Sequence, residues 1–344
     1  MAIFNYFKES NYFFEKFYFE IMDIVWLILG LLLILGGANW LTDGASAIAK
    51  KWGVSDLIIG LTVVAFGTST PELSIGIISA LKGSAPLAIG NVVGSNIFNI
   101  FVIIGIVALV HPIKIEKSIL NTQIPLVILS SVALLAIGCG PWLGVSGPSE
   151  IIRPEGILLF LFFLIFMRYT FSQAKSASPK DPSAQQASSK PAMNLWKAIG
   201  LVVLGLGALV YGGDRFVAGA SGIASALGMS EALIGLTIVA AGSSLPELAT
   251  SILAAMKGKT GIAVGNVIGS NIFNIFMVLG ITATIHPLPF GGIGVFDLLI
   301  MTGASILFWI FGREFGNKVI HRWEGGLLLA CYVGYIVAQI LILH

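Results

Sequence analysis

The stretch GLTVVAFGTSTPEL, residues 60–73, recurs almost unchanged as GLTIVAAGSSLPEL at residues 235–248. The same offset of 175 residues aligns AIGNVVGSNIFNIF, residues 88–101, with AVGNVIGSNIFNIF, residues 263–276. A period this long indicates the duplication of a whole domain rather than a solenoid of short repeats. The chain therefore consists of two related halves, each carrying the same pair of motifs.

The composition places both halves in a membrane. Of the 344 residues, 56% are hydrophobic and only 10% are charged, whereas soluble domains carry roughly 25% charged residues. The net charge of +2 gives no reason to expect a nucleic-acid partner, and two cysteines form neither a zinc motif nor a disulfide framework. We expect the lipid bilayer to be the main partner, with no obligatory protein partner and no cofactor.

Several apolar runs reach the roughly 20 residues that a bilayer crossing needs. Five such runs fall in each half, and an odd number makes the second half enter the membrane from the opposite side. The predicted fold is an all-α membrane protein of two inverted five-helix repeats, with a binding site near the membrane midplane between them. The ten predicted helices span 22–50, 54–81, 85–110, 117–138, 154–171, 195–226, 229–256, 260–285, 294–312 and 323–343.

Four segments follow from this plan. Residues 1–21 form an N-terminal extension, and Met22 is an alternative start; residues 22–171 and 195–344 are the two repeats. The segment between them, 172–194, is rich in Ser, Ala, Gln and Pro, which is typical of a flexible linker. Lysine and arginine concentrate on the side of the plan that holds this linker, and such residues favour the cytoplasm. We therefore expect a multi-pass protein of the cell (inner) membrane with both termini outside and the linker in the cytoplasm.

Two prolines interrupt the second and seventh predicted helices. Pro71 and Pro246 lack the N–H group that would bond to a carbonyl four residues earlier, so both helices should break there. Nearby carbonyls, such as those of Ala65 and Ala240, are then predicted to turn from helical bonding toward a ligand. Irregular backbone at membrane depth is tolerated only where it lines a cavity or is buried in protein.

Each half also carries a carboxylate with hydroxyls and an amide, at spacings that put them on one side of a helix. The set contains oxygen ligands without imidazole or thiolate, which favours hard cations such as sodium or calcium. The two glutamates supply a charge of −2, which matches one calcium ion or two sodium ions. The neighbouring Asn91, Asn96, Asn266 and Asn271 lie off this side and are expected to brace the broken helices. The candidate ligands are Glu72, Glu247, Thr68, Ser69, Ser243, Ser244, Ser95, Ser270, Asn99 and Asn274.

One charged pair lies inside a predicted helix, away from the motifs. Asp214 and Arg215 are adjacent in the sixth helix, and their counterparts Asn39 and Trp40 are uncharged. We expect Asp214 and Arg215 to neutralise each other.

The motifs G-T/S-S-x-P-E and G-N-V-x-G-S-N-I-F-N, present in both halves, resemble those of the cation/calcium exchanger superfamily, and especially the prokaryotic sodium/calcium exchangers. The resemblance implies inverted repeats around four cation sites, with ligands from the set above and from the carbonyls of Ala65 and Ala240. It also implies an antiporter in which sodium entry drives calcium out of the cell by alternating access. Some members of the family have an aspartate at the position of Asn274, so this chain has one fewer potential charge.

Other functions fit the sequence less well. Calcium/proton exchange is the main alternative, because glutamates can carry protons, and potassium-dependent exchange belongs to the same superfamily. A channel also uses oxygen ligands, but inverted repeats with broken helices favour alternating access. An intramembrane enzyme would need a catalytic Asp pair, a Ser/His dyad or an HExxH site, and the sequence contains none of these. We expect a transporter and not an enzyme.

Overall fold

The protein is almost entirely helical in its computed structural model. The structure describes residues 2–82, 85–144, 147, 149–176, 193–227, 240–291, 293–313 and 318–343, without the side chains of 2–20, 85–86, 142, 174–176, 240 and 342–343. Most of the predicted linker and the first part of the predicted seventh helix lie outside these ranges. The helices are α1 (Ala2–Trp52), α2 (Asp56–Thr68), α3 (Thr70–Leu81), α4 (Ala85–Phe98, continued by a π-helical turn at Asn99–Ile104 and by Gly105–Val110), α5 (Ile119–Gly138), α6 (Arg153–Ser176), α7 (Leu195–Ala226), α8 (Ala240–Gly242), α9 (Leu245–Met256), α10 (Thr260–Ile285), α11 (Val295–Arg313) and α12 (Arg322–Leu343).

Within the described residues, eight helices are long and apolar enough to cross a membrane, or nine if α2 and α3 form one broken span. Helix α9 is apolar but shorter, and residues 228–239 before it lie outside the description. The predicted count of ten helices is therefore not reached in the described part of the chain. The expected boundary after residue 21 is not a helix end, because α1 is continuous from Ala2.

Helices α1 and α7, the long first and sixth predicted helices, pack against each other in antiparallel fashion through glycines. A Cβ atom on Gly37 would lie 2.7 Å from the Gly205 carbonyl oxygen, and one on Gly205 would lie 2.7 Å from the Leu41 nitrogen. About two turns further along α1, a Cβ on Gly44 would lie 2.6 Å from the Ala198 carbonyl oxygen. Small residues let membrane helices approach at the backbone, so the glycines hold this pair together.

The predicted break in the second helix is present. Helices α2 and α3 meet at Ser69 with a bend of 41°, and Pro71 lies in the first turn of α3. In the second half, α8 and α9 are likewise separated, by Ser243 and Ser244. Helix α2 packs tightly on α10, since a Cβ on Gly265 would lie 2.6 Å from the Leu57 carbonyl oxygen. The broken helix of the first half therefore contacts a motif helix of the second half.

Four two-residue strands, which the sequence did not predict, join the two halves. Strand β1 (Ile113–Lys114) pairs antiparallel with β4 (Val319–Ile320), and β2 (Glu150–Ile151) pairs with β3 (Leu288–Pro289). Each pair takes one strand from each half. An offset of 175 residues relates β1 to β3, and an offset of 169 relates β2 to β4, so exchanging the halves converts one pair into the other.

Candidate cation-binding site

The two motif glutamates are completely enclosed. Glu72 is 0% exposed and Glu247 is 1% exposed, and each lies in the first turn of the helix that follows a break, α3 and α9. The free N–H groups at a helix N-terminus favour a negative charge there. Within the described residues, neither glutamate forms an ion pair. A buried charge without a partner is costly, so these carboxylates need a cation or a proton.

Hydroxyls from both halves meet at Glu247. Ser69 Oγ of the first half and Ser270 Oγ of the second half each donate to Glu247 Oε1 at 3.4 Å. Ser95, the counterpart of Ser270, is buried, and its hydroxyl has no hydrogen-bond partner. Candidate ligands that are 178 residues apart in the chain therefore belong to one cluster.

Two other motif hydroxyls are held by asparagines of the opposite half. Thr68 Oγ1 donates to Asn266 Oδ1 at 3.0 Å, and Ser243 Oγ donates to Asn91 Oδ1, also at 3.0 Å. The 175-residue offset converts the first bond into the second. Because each hydroxyl hydrogen is used by an asparagine, the lone pairs of the hydroxyl oxygen are left for a cation. Asn266 and Asn91 thus act as braces.

The amides of Asn99 and Asn274 are oriented in the same crossed manner. Asn99 Nδ2 donates to Asn271 Oδ1 at 3.2 Å, and Asn274 Nδ2 donates to Asn96 Oδ1 at 3.0 Å. The Oδ1 atoms of Asn99 and Asn274 are buried and have no partner. Both residues lie in π-helical turns, which are frequent at functional sites. Each amide therefore keeps an acceptor oxygen available.

The unpartnered atoms of the candidate ligands are all oxygens. A buried polar atom without a partner costs free energy, and native structures rarely leave one unexplained. Several such oxygens around two carboxylates fit a hard cation, which binds oxygen lone pairs. In the described part of the chain, no cluster of three or more His, Cys, Asp or Glu side chains forms a different kind of metal site. Among the candidate ligands, the buried oxygens without partners are Glu72 Oε1 and Oε2, Glu247 Oε2, Ser95 Oγ, Ser244 Oγ, Asn99 Oδ1 and Asn274 Oδ1.

The expectation for the backbone carbonyls needs a correction. The Ala65 carbonyl still accepts the Ser69 N–H group at 3.0 Å, so the break does not release it from helical bonding. The reason is the position of Pro71, whose missing N–H group deprives the carbonyl of Gly67 rather than that of Ala65. Ala240 begins α8, and its side chain lies outside the described atoms. A ligand role for either carbonyl stays a prediction.

Sequence reasoning missed one residue of this network, Ser251. Asn266 Nδ2 donates to Ser251 Oγ at 3.0 Å and to the Glu247 carbonyl at 3.3 Å. Ser251 lies four residues after Glu247, on the same side of α9, and its counterpart in the first half is Gly76. Two features of the sequence could have identified Ser251: its position four residues after Glu247, and its replacement by glycine in the other repeat.

The predicted pairing of Asp214 with Arg215 is confirmed, and the pair is not part of the glutamate cluster. Arg215 forms an ion pair with Asp214, and its guanidinium lies 5.1 Å from the centre of the Trp26 ring. The pair therefore belongs to the interface of α1 and α7.

Apolar helices long enough to cross a membrane, with buried and unpartnered oxygens beside a helix break, point to the class of ion transporters. Comparison with known proteins identifies the family. The family model for sodium/calcium exchanger proteins matches residues 22–172 and 197–341, and the chain belongs to this family. The resemblance seen in the duplicated motifs is thereby confirmed, and the family and fold are those of transporters.

Relatives match over nearly the whole chain. The sodium/calcium exchanger MaX1 of Methanosarcina acetivorans is 34% identical over 343 residues, covering 90% of this chain and 96% of that protein. The inner membrane protein YrbG of Escherichia coli is 34% identical over 330 residues, covering 92% and 98%. A solved structure of the sodium-calcium exchanger NCX_Mj superimposes with a TM-score of 0.78 at 31% identity, covering 92% of this chain and 98% of that chain. The protein is thus a multi-pass antiporter of this family.

Proposed function

We propose that the protein exchanges sodium for calcium across the cell (inner) membrane, with sodium entry driving calcium out of the cell by alternating access. The observation that carries this proposal is the set of buried, unpartnered oxygens around Glu72 and Glu247. Calcium takes six to eight oxygen ligands, and one calcium ion balances the two carboxylate charges. Calcium and sodium are the transported ions, and we propose no cofactor.

The proposed ligands are the motif oxygens of both halves. The crossed hydrogen bonds at Asn266 and Asn271 use the hydrogens of Thr68 and Asn99, and this supports a role for their oxygens in binding a cation. The full proposed set comprises Glu72, Glu247, Thr68, Ser69, Ser243, Ser244, Ser95, Ser270, Asn99 and Asn274, with the carbonyls of Ala65 and Ala240.

We propose that the two halves are inverted copies, because five helices in each half make the second half enter the membrane from the opposite side. We assign residues 22–171 and 195–344 to two five-helix repeats, 172–194 to a cytoplasmic linker and 1–21 to an extension, with both termini outside. The exchange of the two strand pairs by the repeat offsets supports a twofold relation between the halves. The distribution of lysine and arginine supports the orientation.

The test is calcium uptake into liposomes that contain the purified protein, with sodium and proton gradients imposed separately. We expect uptake when sodium is loaded inside and diluted outside, and no uptake when only a proton gradient is present. Repeating the measurement with and without potassium determines whether potassium is required. Uptake driven by a proton gradient in the absence of sodium would replace the proposal with calcium/proton exchange.

A further inference from the structure

The two hydroxyl ligands Thr68 and Ser243 occupy equivalent positions but are braced differently. Thr68 is 0% exposed and bonds to Asn266, whose amide nitrogen is fixed in turn by Ser251 Oγ at 3.0 Å and the Glu247 carbonyl at 3.3 Å. Three hydrogen bonds therefore hold Asn266, and one of them ties it to the backbone of a carboxylate ligand. The asparagine that holds Thr68 is therefore itself held in place by Ser251 and Glu247.

The asparagine that holds Ser243 lacks these additional hydrogen bonds. Ser243 is half-buried and bonds to Asn91 Oδ1, but the buried Nδ2 atom of Asn91 has no partner. The residue that corresponds to Ser251 is Gly76, so the hydroxyl that would accept from Asn91 is missing. A single hydrogen bond thus holds Asn91 where three hold its counterpart.

We propose that Ser251 and Asn266 are positioning residues that make Thr68 a fixed ligand of the cation site, while Gly76 leaves Ser243 as a ligand that adjusts to the bound ion. The inference rests on the proposed exchange of sodium and calcium at this site. An exchanger must enclose ions of different charge and ligand number in turn, and calcium accepts a flexible arrangement of oxygens. A hydroxyl whose asparagine is held by one hydrogen bond can move at a lower free-energy cost than one whose asparagine is held by three. This difference between Ser243 and Thr68 lets one site bind both ions.

The surroundings of Gly76 permit the missing hydroxyl to be added. A Cβ atom at Gly76 would lie 3.0 Å from Thr282 Oγ1 and 3.2 Å from Val278 Cγ1, so these side chains would have to shift only slightly. The Thr282 hydroxyl is buried and has no partner. A serine at position 76 therefore has the Thr282 hydroxyl within reach, and its equivalence to Ser251 predicts the Asn91 amide nitrogen as a second partner.

The first experiment measures the thermal unfolding of the purified full-length protein during a calcium titration, which reports calcium binding without transport. Ser251→Ala should raise the half-saturating calcium concentration about two- to tenfold, the loss expected for one net hydrogen bond. Ser251→Thr, which keeps the hydroxyl, should restore the original value. In a Thr68→Val background, Ser251→Ala should have no further effect, because it acts through Thr68.

The matched control is Ser130→Ala. Ser130 is also fully buried, but its hydroxyl donates to the Val127 carbonyl of its own helix, so its removal should leave the calcium titration unchanged. If Ser251→Ala titrates like the original protein, the positioning role is overturned. A full additional loss in the Thr68→Val background overturns the assigned route through Thr68.

The second experiment adds the brace to the first half. Gly76→Ser should lower the half-saturating calcium concentration at least twofold relative to Gly76→Ala, which matches its packing but has no hydroxyl. Equal values for the two variants would overturn the role given to Gly76. If the unsubstituted protein shows no calcium-dependent shift at all, the proposed function itself fails and this inference falls with it.

Discussion

Replacing Glu72 with glutamine removes one of the two charges of the cation site while breaking no hydrogen bond of the folded protein, because both carboxylate oxygens of Glu72 lack partners. With an effective dielectric constant of about 20 and a separation of about 4 Å, a carboxylate and a calcium ion attract each other by about 8 kcal/mol. The amide oxygen of the introduced glutamine and relaxation of the site recover part of this attraction energy. A residual loss of about 2 kcal/mol still weakens calcium binding about thirtyfold.

Without calcium the same change should be harmless to folding. A neutral amide costs less to bury than an ionised carboxylate, so Glu72→Gln should unfold at the same or a higher temperature than the original protein in calcium-free buffer. Sodium-driven calcium uptake should be lost at the calcium concentrations that the original protein uses, and the calcium-dependent rise of the unfolding temperature should need about thirty times more calcium. Glu247→Gln should behave in the same way for transport.

Glu324→Gln is the matched control for burying a glutamine. Glu324 is 0% exposed, and its Oε2 atom accepts the His321 N–H group at 2.6 Å at the start of α12. A glutamine can make the same bond, so exchange should persist. Uptake by Glu72→Gln near the original rate, in correctly inserted protein, would refute the reasoning. An equal loss in Glu324→Gln would show that the effect is not specific to the cluster.

Four further predictions concern topology, transported charge, the Asn274 position and helix packing. With both native cysteines replaced, a cysteine introduced at Ser183 should react in intact cells only with a membrane-permeant reagent; labelling by an impermeant one would place the linker outside. If three sodium ions exchange for one calcium ion, net positive charge leaves sodium-loaded vesicles, so an inside-positive potential should speed calcium uptake, whereas indifference to potentials set with valinomycin contradicts this stoichiometry. Asn274→Asp adds a third carboxylate and should change the sodium dependence or introduce a proton dependence of uptake, and unchanged profiles would remove Asn274 from the site. Gly205→Leu should lower stability by about 1–3 kcal/mol in thermal unfolding, because its Cβ would lie 2.7 Å from a backbone nitrogen of α1. The control Gly207→Leu should not lower stability, because no neighbouring atom lies within 4 Å of its Cβ. Equal effects of the two variants would contradict the tight packing of α1 on α7.

The duplicated motif made much of the site predictable from sequence. Glu72 and Glu247 stand in the same hydroxyl-rich setting, so chance polar residues in a membrane helix are a poor explanation for either. The bend at Ser69 follows from Pro71, a local effect of a missing N–H group. Both inferences depend on residues close together in the chain.

What the sequence did not predict depends on contacts between the halves. The bond from Ser69 to Glu247 joins residues 178 positions apart, and no local pattern states which hydroxyl reaches which carboxylate. The two-residue strands are too short to show the alternation that predicts a strand. Ser251 was missed because its function is visible only in the bond from Asn266, and its counterpart Gly76 breaks the repeat that drew attention to the other residues.

The two strand pairs have a consequence for the origin of the protein. Strands β1 and β2 both belong to the first half, and each finds its partner in the second half. A chain of half the length would leave the N–H and C=O groups of both strands without partners, and a second copy would have to supply them. In one chain this association is intramolecular and therefore has a high effective concentration. This mutual dependence is what the covalent fusion of two dimer-forming subunits would leave in the fold.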